Sequence, residues 1–139
     1  MESKKEGGLE MEIKEIARQN FGRWAKALLT KDPKKVAEIY ANDCTFLPTM
    51  SPEFMRGRKN AQGYFEHFLA RSPEGAIRDE EAKSLGEFYY EHSGLYDFEV
   101  SEDDKRMAIE CRFTFIWHSE PDGIWRIVHH HSSVKPKGH

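Results

Sequence analysis

The 139-residue sequence has no apolar run long enough to span a bilayer, and none near Met1 that would serve as a secretion signal. It also lacks an excess of charge of one sign, since 21 basic and 24 acidic residues leave a formal net charge of −3. That balance provides neither a basic surface for nucleic acid nor a polybasic segment for a membrane surface. We therefore expect a cytoplasmic protein with no nucleic-acid and no membrane partner.

Cysteine is scarce as well. Cys44 and Cys111 are the two cysteines, and they lie far apart in a chain without a signal segment. We interpret them as free thiols in a reducing compartment, where they act as small buried hydrophobic side chains rather than as catalytic groups or metal ligands. The length is that of one domain of ordinary size.

The N-terminal half is predicted to be mainly helical. From Leu9, apolar residues recur at spacings of three and four, which is typical of an amphipathic helix ending near Lys31. Asp32 before Pro33 has the pattern of a helix cap and a first helical turn, and predicts a short second helix. The same spacing predicts a third helix around residues 61–69.

The C-terminal half has the composition of strands. β-branched and aromatic residues dominate segments 76–85, 87–100, 107–117 and 124–134, and the last two connections, "SEDDK" and "SEPDG", are hairpin-like. Helices followed by antiparallel strands predict an α+β fold in which a curved sheet wraps its helices. One domain is expected at 9–136, between a disordered leader at 1–8 and a tail at 137–139.

The last predicted strand contains "IVHHHSS", residues 127–133, which could be a metal site, a pocket wall or a tag remnant. Side chains alternate along a regular strand, so His129, His131 and Ser133 should share one face. His130 and Ser132 should point the other way. Two histidines on one face fall short of the three protein ligands of a catalytic zinc site, so no metal and no cofactor is predicted. Tags are terminal and break the hydrophobic pattern, whereas this run continues a strand, and imidazoles held structurally by hydrogen bonds remain an alternative.

Several segments occur in an order that resembles a known family. They are "CTFLPTMS", "GYFEHFLARSPEG", "GLYDFEV" and "CRFTFIWHSEPDGIWRIVHHHSSVKP", and together they span roughly Phe21 to Pro136. Their order resembles that of the iota-class carbonic anhydrases, and "HHHSSxxP" is the most specific element. That group belongs to the nuclear transport factor 2-like superfamily, beside the association domain of calcium/calmodulin-dependent kinase II.

The resemblance implies a cone-shaped fold with N-terminal helices packed in the concave face of a curved, mainly antiparallel sheet. It also implies reversible hydration of carbon dioxide to bicarbonate in a pocket without a metal. Carried over to this sequence, the catalytic residues are Thr49, Tyr64, His131 and Ser133. The hydroxyls would donate hydrogen bonds to the developing anion, and His131 would be the base or proton carrier. Without the resemblance, Thr49 would simply end a strand and Tyr64 would be a core aromatic.

Carbon dioxide is small and apolar, so its recess should be largely hydrophobic. The residues expected to supply it are Phe46, Phe65, Phe68, Phe113 and Phe115, with His129 deeper on the same face as His131. The segment "MSPEFMRGRKN" departs from the related sequences, which leaves the approach to the pocket open.

Two other functions fit the same fold. One is a non-catalytic association module, which would form a homodimer or a larger homo-oligomer. The other is an isomerase or cyclase that uses an inward-facing acid, for which Asp97 is the candidate. The fold alone does not decide between these functions and carbon dioxide hydration.

Overall fold

The structure is a computed structural model that describes the backbone of residues 2–138 and the side chains of residues 12–138. The helices are α1 (Glu2–Leu29), α2 (Pro33–Ala37) and α3 (Arg58–Phe68), which continues into a 3₁₀ turn at Leu69–Arg71. The strands are β1 (Tyr40–Leu47), β2 (Met55–Arg56), β3 (Glu74–Ser84), β4 (Tyr89–Glu102), β5 (Lys105–Ser119) and β6 (Trp125–Val134).

The helical segments agree with the apolar spacing. The side chains of Ala17, Phe21, Trp24 and Leu28 are buried on one face of α1. The helix begins at Glu2 rather than at Leu9, so its backbone includes residues 2–8 of the predicted leader, a segment whose Glu and Lys residues are good helix formers.

The connection from α1 to α2 has the predicted cap. Asp32 is the N-cap of α2, its carboxylate accepts a hydrogen bond from the backbone N–H of Lys34 at 3.0 Å, and Pro33 occupies the first turn. The dipeptide Asp32–Pro33 thus sets where the second helix begins, as the sequence predicts.

The strands form a single six-stranded sheet of order β2-β1-β6-β5-β4-β3. All neighbouring pairs are antiparallel except β1 and β6, which run parallel. The α+β prediction is therefore confirmed, with long hairpins joining β3 to β6. The β3–β4 pairing has an irregularity between Ile77 and Asp79, where Gly94 of β4 lies so close to the strand that a Cβ would overlap the Asp79 carbonyl oxygen.

The core lies between the helices and the concave face of the sheet. Phe65 and Phe68 of α3 and Trp24 of α1 pack there against Tyr96, Phe98, Phe113 and Phe115 of the central strands, all less than a tenth exposed. Within residues 2–138, no helix is long and apolar enough to cross a membrane. The candidate site lies in the part of this aromatic core beside Thr49 and α3.

Candidate functional site

The alternation of side chains between the two faces of the sheet shifts by one residue at a β-bulge in β6, within the segment 127–133. Ile127 pairs with Trp117 and His129 with Ile116, so two steps along β6 match one step along β5 and Val128 is the extra residue. Beyond the bulge, His130 and Ser132 face the core, with 2% and 5% of their surface exposed.

The bulge corrects the predicted faces. His129, His131 and Ser133 lie on the outer side of the sheet, where His131 is exposed and the other two are half-buried. His129 Nδ1 is 2.7 Å from Thr45 Oγ1 there, and burial together with the charge of His131 lowers the pKa of His129. His131 and Ser133 are therefore not in the pocket, and His129 does not line it.

The sequence contains no marker for this shift. Trp125 and Ile127 set the phase of alternation before the bulge, and the next apolar residue after Val128 is Val134, which is itself exposed. A polar run between them fits either face equally well. The prediction failed because a strict alternation was extended across an extra residue.

The inward-facing His130 is bonded at both ring nitrogens. Its Nδ1 is 2.8 Å from Tyr40 Oη, and its Nε2 is 3.1 Å from Tyr96 Oη. The imidazole is stacked between Phe46 and Phe115, with ring centroids 4.9 and 4.1 Å away. His130 is thus fixed in orientation as well as buried.

The bonds of His130 belong to a longer polar chain. Trp24 Nε1 donates to Tyr40 Oη at 3.2 Å, and Tyr96 Oη donates to Ser132 Oγ at 2.6 Å. Ser132 Oγ is in turn hydrogen-bonded to Thr49 Oγ1. We call this series of side chains the polar chain: Trp24, Tyr40, His130, Tyr96, Ser132 and Thr49.

Five of these six residues received no site role from the sequence. Trp24 and Tyr40 were read only as apolar positions, and Tyr96 lies within "GLYDFEV", a segment used only for the resemblance. Ser132 was placed on the wrong face with His130. The one available signal was the concentration of phenol and indole groups among core positions, since such groups usually find a polar partner when buried.

A small cavity lies at the Thr49 end of the polar chain. Its volume is about 10 Å³, close to the space that one water molecule needs. Thr49 and Tyr64, the two predicted catalytic residues outside β6, both line it. Phe46, Phe65 and Phe68 of the predicted apolar recess line it as well. Phe113 and Phe115 do not line it and instead pack behind it against Tyr96 and His130. The remaining lining residues are Trp24, Tyr96, Phe98, His130 and Ser132.

Burial sets the protonation of these groups. It lowers the pKa of His130 well below its usual value, an effect that the charges of His129 and His131 reinforce. It raises the pKa of Tyr40, Tyr96 and Tyr64 above the usual phenol value. At neutral pH the imidazole is therefore uncharged, and the three phenols keep their protons and can donate hydrogen bonds.

Both cysteines are free and buried, as predicted. Burial raises the pKa of Cys111 to about 11, although a hydrogen bond from Thr49 lowers it in part. The pKa of Cys44 is likewise raised to about 11 by burial. Both side chains are thus thiols rather than thiolates at neutral pH, and the Cys111 sulfur lies beside Thr49.

A larger cleft opens on the other side of Tyr64. It has a volume of about 880 Å³ and is formed by the segment 50–56 and by α3. Tyr64 and Phe68 line both the cleft and the small cavity, so these two side chains separate them. The segment 50–56 therefore lines the cleft on the side of Tyr64 away from the small cavity.

Among the described side chains, no acid lines the small cavity and no metal cluster is present. Among the side chains of residues 12–138, no three His, Cys, Asp or Glu residues are grouped so that they could hold a metal ion. Asp97, the candidate acid of an isomerase, accepts a hydrogen bond from Arg78 Nε at 3.1 Å and does not line the cavity. Its neighbour Tyr96 faces the core in its place.

Comparison with solved structures shows which fold this is. A nuclear transport factor 2-like superfamily protein from Salmonella enterica is 16% identical, with a TM-score of 0.78 over 93% of this chain and 95% of that chain. A ketosteroid isomerase-like protein from Erwinia carotovora is 10% identical, with a TM-score of 0.72 over 86% and 94% of the two chains. The fold is therefore nuclear transport factor 2-like, as the sequence resemblance implied.

A higher sequence identity is found with one crystal structure. A Xanthomonas campestris protein assigned as a calcium/calmodulin dependent protein kinase II association domain is 36% identical, with a TM-score of 0.85 over 89% of this chain and 88% of that chain. No curated protein matches the sequence. The family described as the calcium/calmodulin dependent protein kinase II association domain matches residues 12–136. The chain belongs to this association domain family.

Proposed function

We propose that the protein catalyses the reversible hydration of carbon dioxide in the cavity lined by Thr49, Ser132 and Tyr64. The observation that carries the proposal is the convergence of these hydroxyl-bearing side chains on one small, otherwise aromatic cavity. The resemblance of the "HHHSSxxP" segment to iota-class carbonic anhydrases supports the same reaction, with His130 and Ser132 replacing His131 and Ser133 as the inward pair.

The residue types fit the requirements of that reaction. Phe46, Phe65 and Phe68 offer an apolar surface to carbon dioxide. As the oxygen of water adds to the carbon, negative charge develops on the oxygens of the nascent bicarbonate. Fixed hydroxyl donors from Thr49 and Tyr64 would stabilise that charge in a site of low dielectric.

His130 has a different role from the base expected at His131. Both of its ring nitrogens are occupied, and its pKa is lowered by burial, so it holds the polar chain in place rather than taking the proton released by water. In this proposal the proton leaves through the cleft beyond Tyr64 to solvent.

Carbon dioxide can enter the site only when the small cavity and the adjoining cleft connect. The cavity of about 10 Å³ accepts one water-sized molecule, while the adjoining cleft has a volume of about 880 Å³. Because Tyr64 is half-buried and lines both, rotation of its side chain would connect them. Tyr64 would then be both a hydroxyl donor and the entrance to the site.

Stopped-flow measurement of carbon dioxide hydration tests the proposal with two adjacent serines. Ser132→Ala removes an inward hydroxyl and should reduce kcat on the order of 10²-fold. Ser133→Ala removes the same atom from the outer face and should leave the rate unchanged. Equal rates for the two variants would contradict the assignment of the site.

The same measurement after exhaustive chelation tests the metal-free chemistry. We expect the rate to be retained, because the hydroxyl donors alone stabilise the developing charge. A rate that disappears on chelation and returns with zinc or manganese would overturn this part of the proposal.

A second function is favoured by the family match. Membership of an association domain family suggests that the chain assembles into a homodimer or a larger homo-oligomer. This role is compatible with catalysis, because the cavity faces the interior of the cone whereas the outer face of the sheet is available for assembly.

A further inference from the structure

The direction of the hydrogen bonds in the polar chain is determined at its buried end. An indole nitrogen can only donate, so Trp24 Nε1 donates to Tyr40 Oη. Tyr40 has none of its surface exposed, and its hydroxyl proton also needs an acceptor. Among the described side chains, its other hydrogen-bond partner is His130 Nδ1 at 2.8 Å, which must therefore accept.

The same reasoning continues along the chain. With Nδ1 as acceptor, the neutral imidazole of His130 has its proton on Nε2 and donates it to Tyr96 Oη at 3.1 Å. Tyr96 then donates to Ser132 Oγ at 2.6 Å. Ser132 donates to Thr49, whose own proton is left for the cavity or for the weakly accepting sulfur of Cys111.

The opposite direction leaves a buried donor without an acceptor. If His130 donated from Nδ1 to Tyr40, the hydroxyl proton of Tyr40 would face the N–H of Trp24. A buried donor without an acceptor is costly, so the opposite arrangement is the minor one. The hydrogen bond at the Trp24 end of the polar chain therefore determines whether Thr49, at the other end, has a proton to donate to a ligand.

We propose that Tyr40, held by Trp24, is a positioning residue that fixes the Nε2–H tautomer of His130 and leaves the Thr49 hydroxyl able to donate to a ligand in the cavity in place of the Cys111 sulfur. Tyr40 does not line the cavity, and its hydroxyl is connected to the cavity through His130. Thr49 as a donor matches an anionic ligand such as bicarbonate. The expected fall in kcat rests on the proposed hydration of carbon dioxide. The expected tautomer of His130 does not depend on that function.

Without the Tyr40 hydroxyl, the hydrogen bonds of the polar chain should be able to run in either direction. In Tyr40→Phe, both tautomers of His130 leave one ring nitrogen without a partner, so their energies become similar. Equal populations would halve kcat, and complete reversal would reduce it on the order of 10²-fold, the effect of losing one donor. KM for carbon dioxide should change little, because the uncharged substrate does not use that donor.

Tyr96→Phe is the matched comparison. It removes the same atom from the other side of His130 and interrupts the chain before Ser132, yet Tyr40 still donates to Nδ1. The tautomer of His130 should therefore remain Nε2–H, while kcat falls. A purely structural role of Tyr40 would change the stability of the fold without producing this difference between the two variants.

The experiment is ¹⁵N NMR of the imidazole nitrogens in the whole chain, with the His130 signals assigned by comparison with His130→Gln. We expect a single Nε2–H tautomer in the wild type and in Tyr96→Phe, and a mixture in Tyr40→Phe. An Nδ1–H tautomer in the wild type overturns the proposal even if Tyr40→Phe does not fold, and so does an unchanged tautomer in a folded Tyr40→Phe. If the tautomers behave as expected but the wild type does not hydrate carbon dioxide, the function fails and the positioning role stands.

Discussion

Adjacent histidines in β6 have opposite environments, and these environments decide their chemistry. His131 is exposed on the outer face, whereas His130 is enclosed by Phe46 and Phe115 and bonded at both nitrogens. A second buried imidazole, that of His92, lies 3.3 Å from Glu80 at the α1 side of the sheet. Burial lowers the pKa of His92 as well, although Glu80 opposes this effect.

These lowered pKa values predict acid sensitivity of the fold. His130 and His92 are neutral in the folded state but take up protons near pH 6.5 when unfolded. The unfolded state therefore binds more protons as the pH falls. His130 lowers the free energy of unfolding by up to about 1.4 kcal/mol per pH unit below that value, and His92 contributes in the same direction. Urea unfolding at pH 7, 6 and 5 should show this slope.

His92→Gln should reduce that slope, because glutamine does not titrate. His131→Gln, on the exposed outer face, provides the comparison. A free energy of unfolding that is constant between pH 7 and pH 5 would contradict the burial of the two imidazoles.

At the scale of elements, two irregularities shape the site. The bulge at Val128 turns His130 and Ser132 toward the core, and the close approach at Gly94 lets β4 follow the curvature of the sheet. Bulges and glycines of this kind bend sheets, and a bent sheet can enclose α1 and α3. The cavity beside Thr49 depends on that enclosure.

Gly94→Ala should be strongly destabilising. A Cβ there would overlap the Asp79 carbonyl oxygen, and φ at Gly94 is +155°, so both the contact and the backbone are unfavourable. We expect a loss of about 3 kcal/mol in the free energy of unfolding. Gly86→Ala is the control, since φ is +121° but no atom lies within 4 Å of its Cβ. If thermal and urea unfolding show the same loss for both variants, the close approach does not shape the sheet.

At the scale of the whole molecule, the fold leaves one broad face of the sheet outside the cone. Ile116 is a half-buried apolar side chain on this outer face, and it pairs with His129. Association in this family and an unenclosed sheet face together favour assembly through β5 and β6.

Sedimentation analysis should show a single species larger than the 16.2 kDa chain. Ile116→Lys introduces a charge on the outer face and should shift the distribution toward the monomer, because burying an unpaired ammonium group in an interface is costly. Lys83→Ala, at an exposed position of β3, should leave it unchanged. A monomeric wild type would refute assembly.

The sequence by itself determined the helices, the C-terminal strands and much of the pocket wall, but not the short strand β2. The spacing of apolar residues gave α1 and α3, and Asp32–Pro33 placed the start of α2, because helix periodicity and capping act within a few residues. Thr49, Tyr64, Phe46, Phe65 and Phe68 were also identified before the structure, the first two through the resemblance and the phenylalanines as an expected apolar recess.

Only the tertiary structure decided which face of β6 forms the site and which residues join it. The bulge at Val128 is fixed by the register of β6 against β5, which no alternation within β6 can reveal. Tyr40 and Tyr96 meet His130 across 90 and 34 residues of sequence, respectively. A hydrogen bond over such separations depends on how strands and helices pack, so the polar chain exists only once the sheet has closed around the core.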